Sequence, residues 1–444
     1  MAQLKATYKE ILKIALPLIL GNTAWTFNGV FDTIFVGNLG KLQLDAIGFG
    51  SIFYSVLFMM GFSFTRGTQI IIARRMGEKK INQVGVIVDT TLVSLLIVST
   101  LLFFVIKMFS HDILSFMLSN EDIISMCDEF LRYRILGIVP SFITFVFIAF
   151  YSGIGRTPIL AFSVFLMTVL NIVLNYALVY GKLGLPEMGI AGSGLATSIA
   201  EVFCLLLMFG GCFYKQRVHE YRLFRFHKFE ASTLREMSNI AVPLMVQSFA
   251  AVGAGFSFAR IETVLGKDSL AISSIFRQII LFFTIPTWSL GSTANTLISN
   301  LVGQKDFGGI KIAIRRISLV SLVMAVVSCI IIFLMSKFFI GIFTSPQDAD
   351  LIPIAIHILP VTFVVLLLAS FTNIIFNGVI SIGDIYVALA IQVSAVIIYV
   401  IYFQVLFTFP FVNTFWIWTA EWLYWFLILV GSLLFFRFRK LNLV

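Results

Sequence analysis

Asp32 lies inside an apolar run, Ile14 to Gly40, that is long enough to cross a bilayer. At ~1.5 Å of rise per residue, it sits about 12 Å below the Gly40 end. A lone carboxylate at that depth costs roughly 2.5–3.5 kcal/mol on insertion scales, so it calls for a use. Four further polar side chains reach a similar depth. Asn171 and Asn175 are one helical turn apart and share a face, and so do Thr197 and Glu201. Counted from Gly181 and from Ile190, both pairs lie roughly 9–16 Å below the same side. Carboxylate, amide and hydroxyl oxygens in one layer suit a hard cation or a transferred proton. Asp32, Asn171, Asn175, Thr197 and Glu201 are therefore the candidate coupling site, with sodium as the candidate metal ion. The bland alternative is a hydrogen-bonded knot that only fixes helix packing.

Arg66, Arg260 and Arg277 also fall within apolar runs. They would line a substrate cleft and meet an anionic group. Otherwise they pair with Asp32 or Glu201, or snorkel to the interface, where Arg260 has Glu262 close by.

The elements that position these residues follow from composition. Of 444 residues, 59% are hydrophobic and 12% charged, against about 25% charged in a soluble domain. The chain reads as a polytopic membrane protein. Twelve apolar spans emerge, at about 12–37, 44–72, 84–107, 124–150, 158–181, 190–214, 238–264, 270–301, 311–334, 350–377, 384–409 and 414–436. An even count puts both termini on one side. Of 31 Lys and Arg residues, 21 fall on the side of the termini and five on the other. That asymmetry predicts cytoplasmic termini in a multi-pass protein of the plasma membrane, or of the inner membrane in a Gram-negative cell. It also accounts for the net charge of +9 without a nucleic-acid partner.

The sequence repeats. IALPLILGN…LGKLQLDAI returns as IAVPLMVQS…LGKDSLAIS, with Pro17 matched by Pro243 and Gly40 by Gly266 at one constant offset. Arg75–Lys79 matches Leu301–Lys305 at the same offset. The polar stretch from Lys215 to Glu236 separates the copies. The expected fold is an all-α membrane protein. Twelve transmembrane helices form two six-helix bundles related by a pseudo-twofold, with a central cleft. The lobes are 1–228, including a cytoplasmic linker, and 229–444. Phe258 stands in the second copy where Asp32 stands in the first. Buried acids are accordingly expected in the first half only.

Other chemistries find no support. The four histidines have no metal-ligand spacing, and no Walker sequence or Ser-His-Asp arrangement occurs. The four cysteines read as small buried hydrophobes. Gly192 and Gly194 sit in a pattern that imitates a dinucleotide fingerprint, but no strand precedes it. They read as small residues for close helix packing. The chain is read as no enzyme, without a cofactor beyond a coupling ion. Its partners are a small-molecule substrate and the bilayer, and it acts as a monomer.

IALPLIL…FDTIFVGNLG, ARRMGEKK, GIGRTP, NIVLNYALVYG…GIAGSGLAT and IAVPLMV with LGKDSLA together resemble the multidrug and toxic compound extrusion (MATE) family, across essentially the whole chain. The resemblance implies export of amphipathic organic compounds or drugs by alternating access, driven by protons or sodium. In branches that couple through the first lobe, Asp32, Asn171 and Thr197 match the pattern. Asn175 departs from it, since an aspartate is usual there, and this tilts the expectation towards protons. Glu201 is a candidate replacement for that charge. A second branch uses acids in helices seven and ten; this chain has Ala251 in helix seven and no acid after Asp350 in span ten. Pro17 matches a helix-one proline associated with bending of that helix. The alternative within the superfamily is a flippase for a lipid-linked saccharide or another anionic amphiphile.

Overall fold

The computed structural model describes residues 3–226, 231–343, 350–406, 408–409 and 412–439. Of residues 215, 256–257, 259–265, 267 and 343 only the backbone is described. Among the described residues the regular structure is helical, without strands. In a bilayer the backbone must satisfy its own hydrogen bonds, and apolar stretches of this length do so as helices.

Among the described residues eleven helices are long and apolar enough to cross a membrane, and one bent pair makes the twelfth span. In the first half the spans are Tyr8–Gly37, Lys41–Gly77, Ile81–Met117, Glu121–Gly153, Pro158–Val179 and Gly189–Phe213. In the second half they are Ala231–Leu265, Lys267–Phe283 with Ile285–Gln304, Phe307–Leu334, Leu351–Ile358 with Pro360–Ile382, Ile385–Leu406 and Thr414–Phe438. They are called spans one to twelve below.

Prolines explain the interruptions. Span eight bends by 43° at Thr284, and Pro286 there cannot donate a backbone hydrogen bond to the preceding turn. Span ten breaks at Leu359, the residue before Pro360. Span four tightens into a 3-10 turn over Ile135–Gly137, just ahead of Pro140.

The repeat is visible in the backbone. The matched glycines Gly40 and Gly266 open spans two and eight at φ 147° and 112°, both with ψ 172°. That region favours glycine. Lys79 and Lys305, matched at the same offset, are both left-handed, at φ 61° and 60°.

The helices gather into two compact units, Leu16–Ala241 and Met1–Ala15 with Val242–Val444. The chain passes between them inside spans one and seven. Pro17 and Pro243 are each the second residue past the crossing. In the first unit the start of span seven is anchored by Glu236, whose carboxylate accepts from Arg75 at 2.8 and 2.9 Å. In the second, the Leu4 N–H donates to Asn300 at 3.1 Å and Gln304 donates to the Leu4 carbonyl at 3.0 Å. The sequence boundary between 228 and 229 lies outside the described residues.

Candidate functional site

Close backbone packing builds the site in the first unit. A Cβ on Gly192 would lie 2.6 Å from the Leu178 carbonyl oxygen, and one on Gly194 would lie 2.7 Å from that of Phe130. Span six therefore touches spans five and four backbone to backbone, as small residues allow. Span one is tied to span five at two levels. Thr168 donates to the Ala24 carbonyl at 3.0 Å, and Tyr180 to that of Phe35 at 2.8 Å.

Between these ties Asp32 meets spans five and six. Its Oδ1 accepts from Asn175 Nδ2 at 2.7 Å and Asn171 Nδ2 at 3.2 Å. Its Oδ2 accepts from Thr197 Oγ1 at 2.9 Å. Asn171 also donates to Thr197 at 3.0 Å, and Asn175 to Asn171 Oδ1 at 3.1 Å. Both asparagines are fully buried, and Asp32 is half-buried. The arrangement is a carboxylate solvated by three neutral donors. Asn175 Oδ1 is buried without a hydrogen-bond partner.

Glu201 is placed differently from the expectation of one layer shared with Asp32. Its two oxygens are held by Arg134 at 2.7 and 2.8 Å. The pair is buried, and the guanidinium stacks 3.7 Å from the Tyr54 ring. The partner of Glu201 is thus Arg134, and neither Arg66 nor Arg277. Arg134 is the last, buried residue of the helix Glu121–Arg134, and a 3-10 turn over Ile135–Gly137 follows it. Gly137 in that turn leaves the room: a Cβ there would overlap the Glu201 carboxylate and crowd Arg134. Arg134 also acts electrostatically on Asp32. The pair therefore borders the site rather than adding a free acid to it.

The candidate cleft arginines are each placed within their own half. Arg66 is half-buried in span two, in the first unit; Arg277 is in span eight, in the second. Arg277 lies 4.0 Å over the Phe258 ring, and its Nη2 is buried without a hydrogen-bond partner. The side chains of Arg260 and Glu262 lie outside the described residues. Pro17 lies within span one, which is helical on both sides of it.

Acids within the spans are not confined to the first half as expected: Glu421, half-buried, lies in the second. Glu421 in span twelve accepts from Tyr399 Oη at 2.8 Å and feels the charge of Arg277. The signal that could have found it is the one used for Asp32, a lone carboxylate inside an apolar span. Phe258 keeps the repeat's geometry without its charge. It packs on Phe403 and Trp418 of spans eleven and twelve, ring centroids 5.7 and 5.2 Å away, as Asp32 meets spans five and six.

Comparison with known proteins follows the same repeat. The MatE family model matches residues 17–177 and 243–406, beginning at Pro17 and again at Pro243. "Probable multidrug resistance protein NorM" of Pasteurella multocida is 26% identical over 346 residues, 78% of this chain and 74% of that protein. "Multidrug resistance protein NorM" of Vibrio cholerae is 24% identical over 318 residues, 70% and 68% of the two chains. A solved structure described as an outward-facing multidrug resistance MATE family transporter of the MOP superfamily superposes with TM-score 0.91 at 17% identity, over 99% of this chain and 97% of that one. With its twelve spans and its two matched halves, this chain belongs to the MatE family of multidrug efflux transporters, which are membrane transporters and not enzymes.

Proposed function

We propose that this chain is a secondary active exporter of amphipathic organic compounds. A cation gradient coupled at Asp32 drives it by alternating access. The observation that carries the reading is the Asp32 carboxylate held by Asn171, Asn175 and Thr197. Neutral donors stabilise the ionised carboxylate without cancelling its charge, so an arriving cation still meets a net negative site.

Protons are favoured over sodium. Ionised Asp32 is served by the three donors. Protonated Asp32 needs an acceptor, and Thr197 supplies one when its hydroxyl turns to the Ser193 carbonyl, 3.0 Å away, and leaves its oxygen facing Asp32 Oδ2. An aspartate at 175 would instead add a second negative charge and suit a hard cation.

The substrate class rests on the relatives, two of which carry multidrug resistance in their names. They lend nothing to the flippase alternative. The charge asymmetry supports cytoplasmic termini, and a monomer is the simplest assembly for two internally repeated halves. Export of a fluorescent organic cation from sealed vesicles, with a pH or sodium gradient imposed separately, tests the reading.

A further inference from the structure

The loop joining the two halves is pinned to span three. Asp89 is 7% exposed, and its carboxylate accepts from the backbone N–H groups of Phe224, Arg225 and Phe226 at 2.9, 3.0 and 3.1 Å. One turn earlier Gly85 admits the loop: a Cβ there would overlap the carbonyl oxygens of Tyr221 and Arg222. These contacts fix Phe224 and Phe226 over a cavity of about 290 Å³. Its other walls come from spans three, four and six, among them Leu96, Phe147, Leu206 and Phe209. Every lining residue is Leu, Val, Ile or Phe. Leu96, Leu206, Phe209 and Phe226 are also exposed, so the cavity opens sideways, on the lipid-facing surface of the helices.

Charge and depth indicate what fills it. Phe209 is four residues from the end of span six and Phe147 six from the end of span four. The cavity thus starts about 6–9 Å inside the helix ends where the loop lies, at acyl-chain depth. Arg225 stands between the two lining phenylalanines, and Arg222 three residues before it; both are exposed. Within Tyr214–Phe226 the loop also carries Lys215 and Arg217, against one acid, Glu220. A basic rim over an apolar slot between helices is complementary to a phosphate bearing a hydrocarbon chain.

We propose that this cavity binds one acyl chain of an anionic phospholipid from the leaflet on the loop's side, with Arg222 and Arg225 holding the phosphate. The site lies wholly within the first unit and is separate from the Asp32 site.

Native mass spectrometry of the full chain in detergent tests this, independently of transport. The protein is titrated with phosphatidylglycerol or phosphatidylcholine carrying the same chains. One phosphatidylglycerol should bind more tightly than phosphatidylcholine, by about fivefold for each arginine engaged. Arg222→Gln with Arg225→Gln should erase that preference and leave phosphatidylcholine binding unchanged. Leu206→Trp, which fills the slot, should weaken both lipids. Equal binding of the two lipids by the parent overturns the proposal. So does a preference that survives the double arginine change, or undiminished binding by the Leu206→Trp variant. The arginine variant alters only exposed side chains, so the test stands even where Leu206→Trp fails to fold.

Discussion

Arg134 and Glu201 form a two-pronged ion pair in the first unit, with nitrogen–oxygen distances of 2.7 and 2.8 Å. The pair lies one helical turn from Thr197, which donates to Asp32. Two acids and one guanidinium therefore leave a formal charge of −1 in this polar core, and that charge belongs to Asp32.

Breaking the pair from one side strands a buried charge, which costs about 3–5 kcal/mol. Glu201→Gln and Arg134→Gln should each lower the thermal unfolding midpoint in detergent. Gly137→Ala should do so as well, because its Cβ enters the space the pair occupies. The double change Arg134→Met with Glu201→Leu should recover most of the loss. Single variants that unfold with the parent would show that the pair contributes nothing.

The same variants should move the pH dependence of transport in opposite directions. Glu201→Gln frees the Arg134 charge, which favours ionised Asp32, so half-maximal transport shifts to lower pH. Arg134→Gln leaves Glu201 uncompensated, which disfavours ionised Asp32, and the shift is to higher pH. Profiles measured in vesicles that both move the same way would contradict this sign argument.

Asn175→Asp restores a second acid beside Asp32. Sodium should then stabilise the protein against heat, an effect expected to be small or absent in the parent. An equal response to sodium in parent and variant would mean that the charge at 175 does not select the ion.

Glu421 tests the asymmetry between the halves. It accepts from one hydroxyl, that of Tyr399, where Asp32 accepts from two amides and a hydroxyl. Glu421→Gln should keep gradient-driven export, with its effect confined to the apparent affinity for substrate. Loss of gradient dependence in this variant would move the coupling residue to the second half.

Much of this architecture was legible in the residues. Apolar runs of bilayer length carry the spans, and the constant offset from Pro17 to Pro243 and from Gly40 to Gly266 carries the repeat. Depth counted along ideal helices brings Asp32, Asn171, Asn175 and Thr197 to one level, and there they meet. Depth says nothing of azimuth, so it could not tell that Glu201 turns towards span four. Arg134 was hidden for the same reason: it ends the helix Glu121–Arg134 and is buried while Arg132, two residues before it, is exposed. Glu421 was hidden by the repeat itself. Transferring Asp32 by the repeat's offset lands on Phe258 and directs attention to span seven, away from the tryptophan-rich span twelve.

The most direct measurement is export from sealed vesicles under an imposed pH gradient, comparing the parent with Asp32→Asn. The variant keeps the side chain's shape, so it should insert and fold. Its amide offers one acceptor oxygen and no charge, and no proton can be carried there. The parent should show gradient-driven export and the variant none. Export by Asp32→Asn at the parental rate would contradict it.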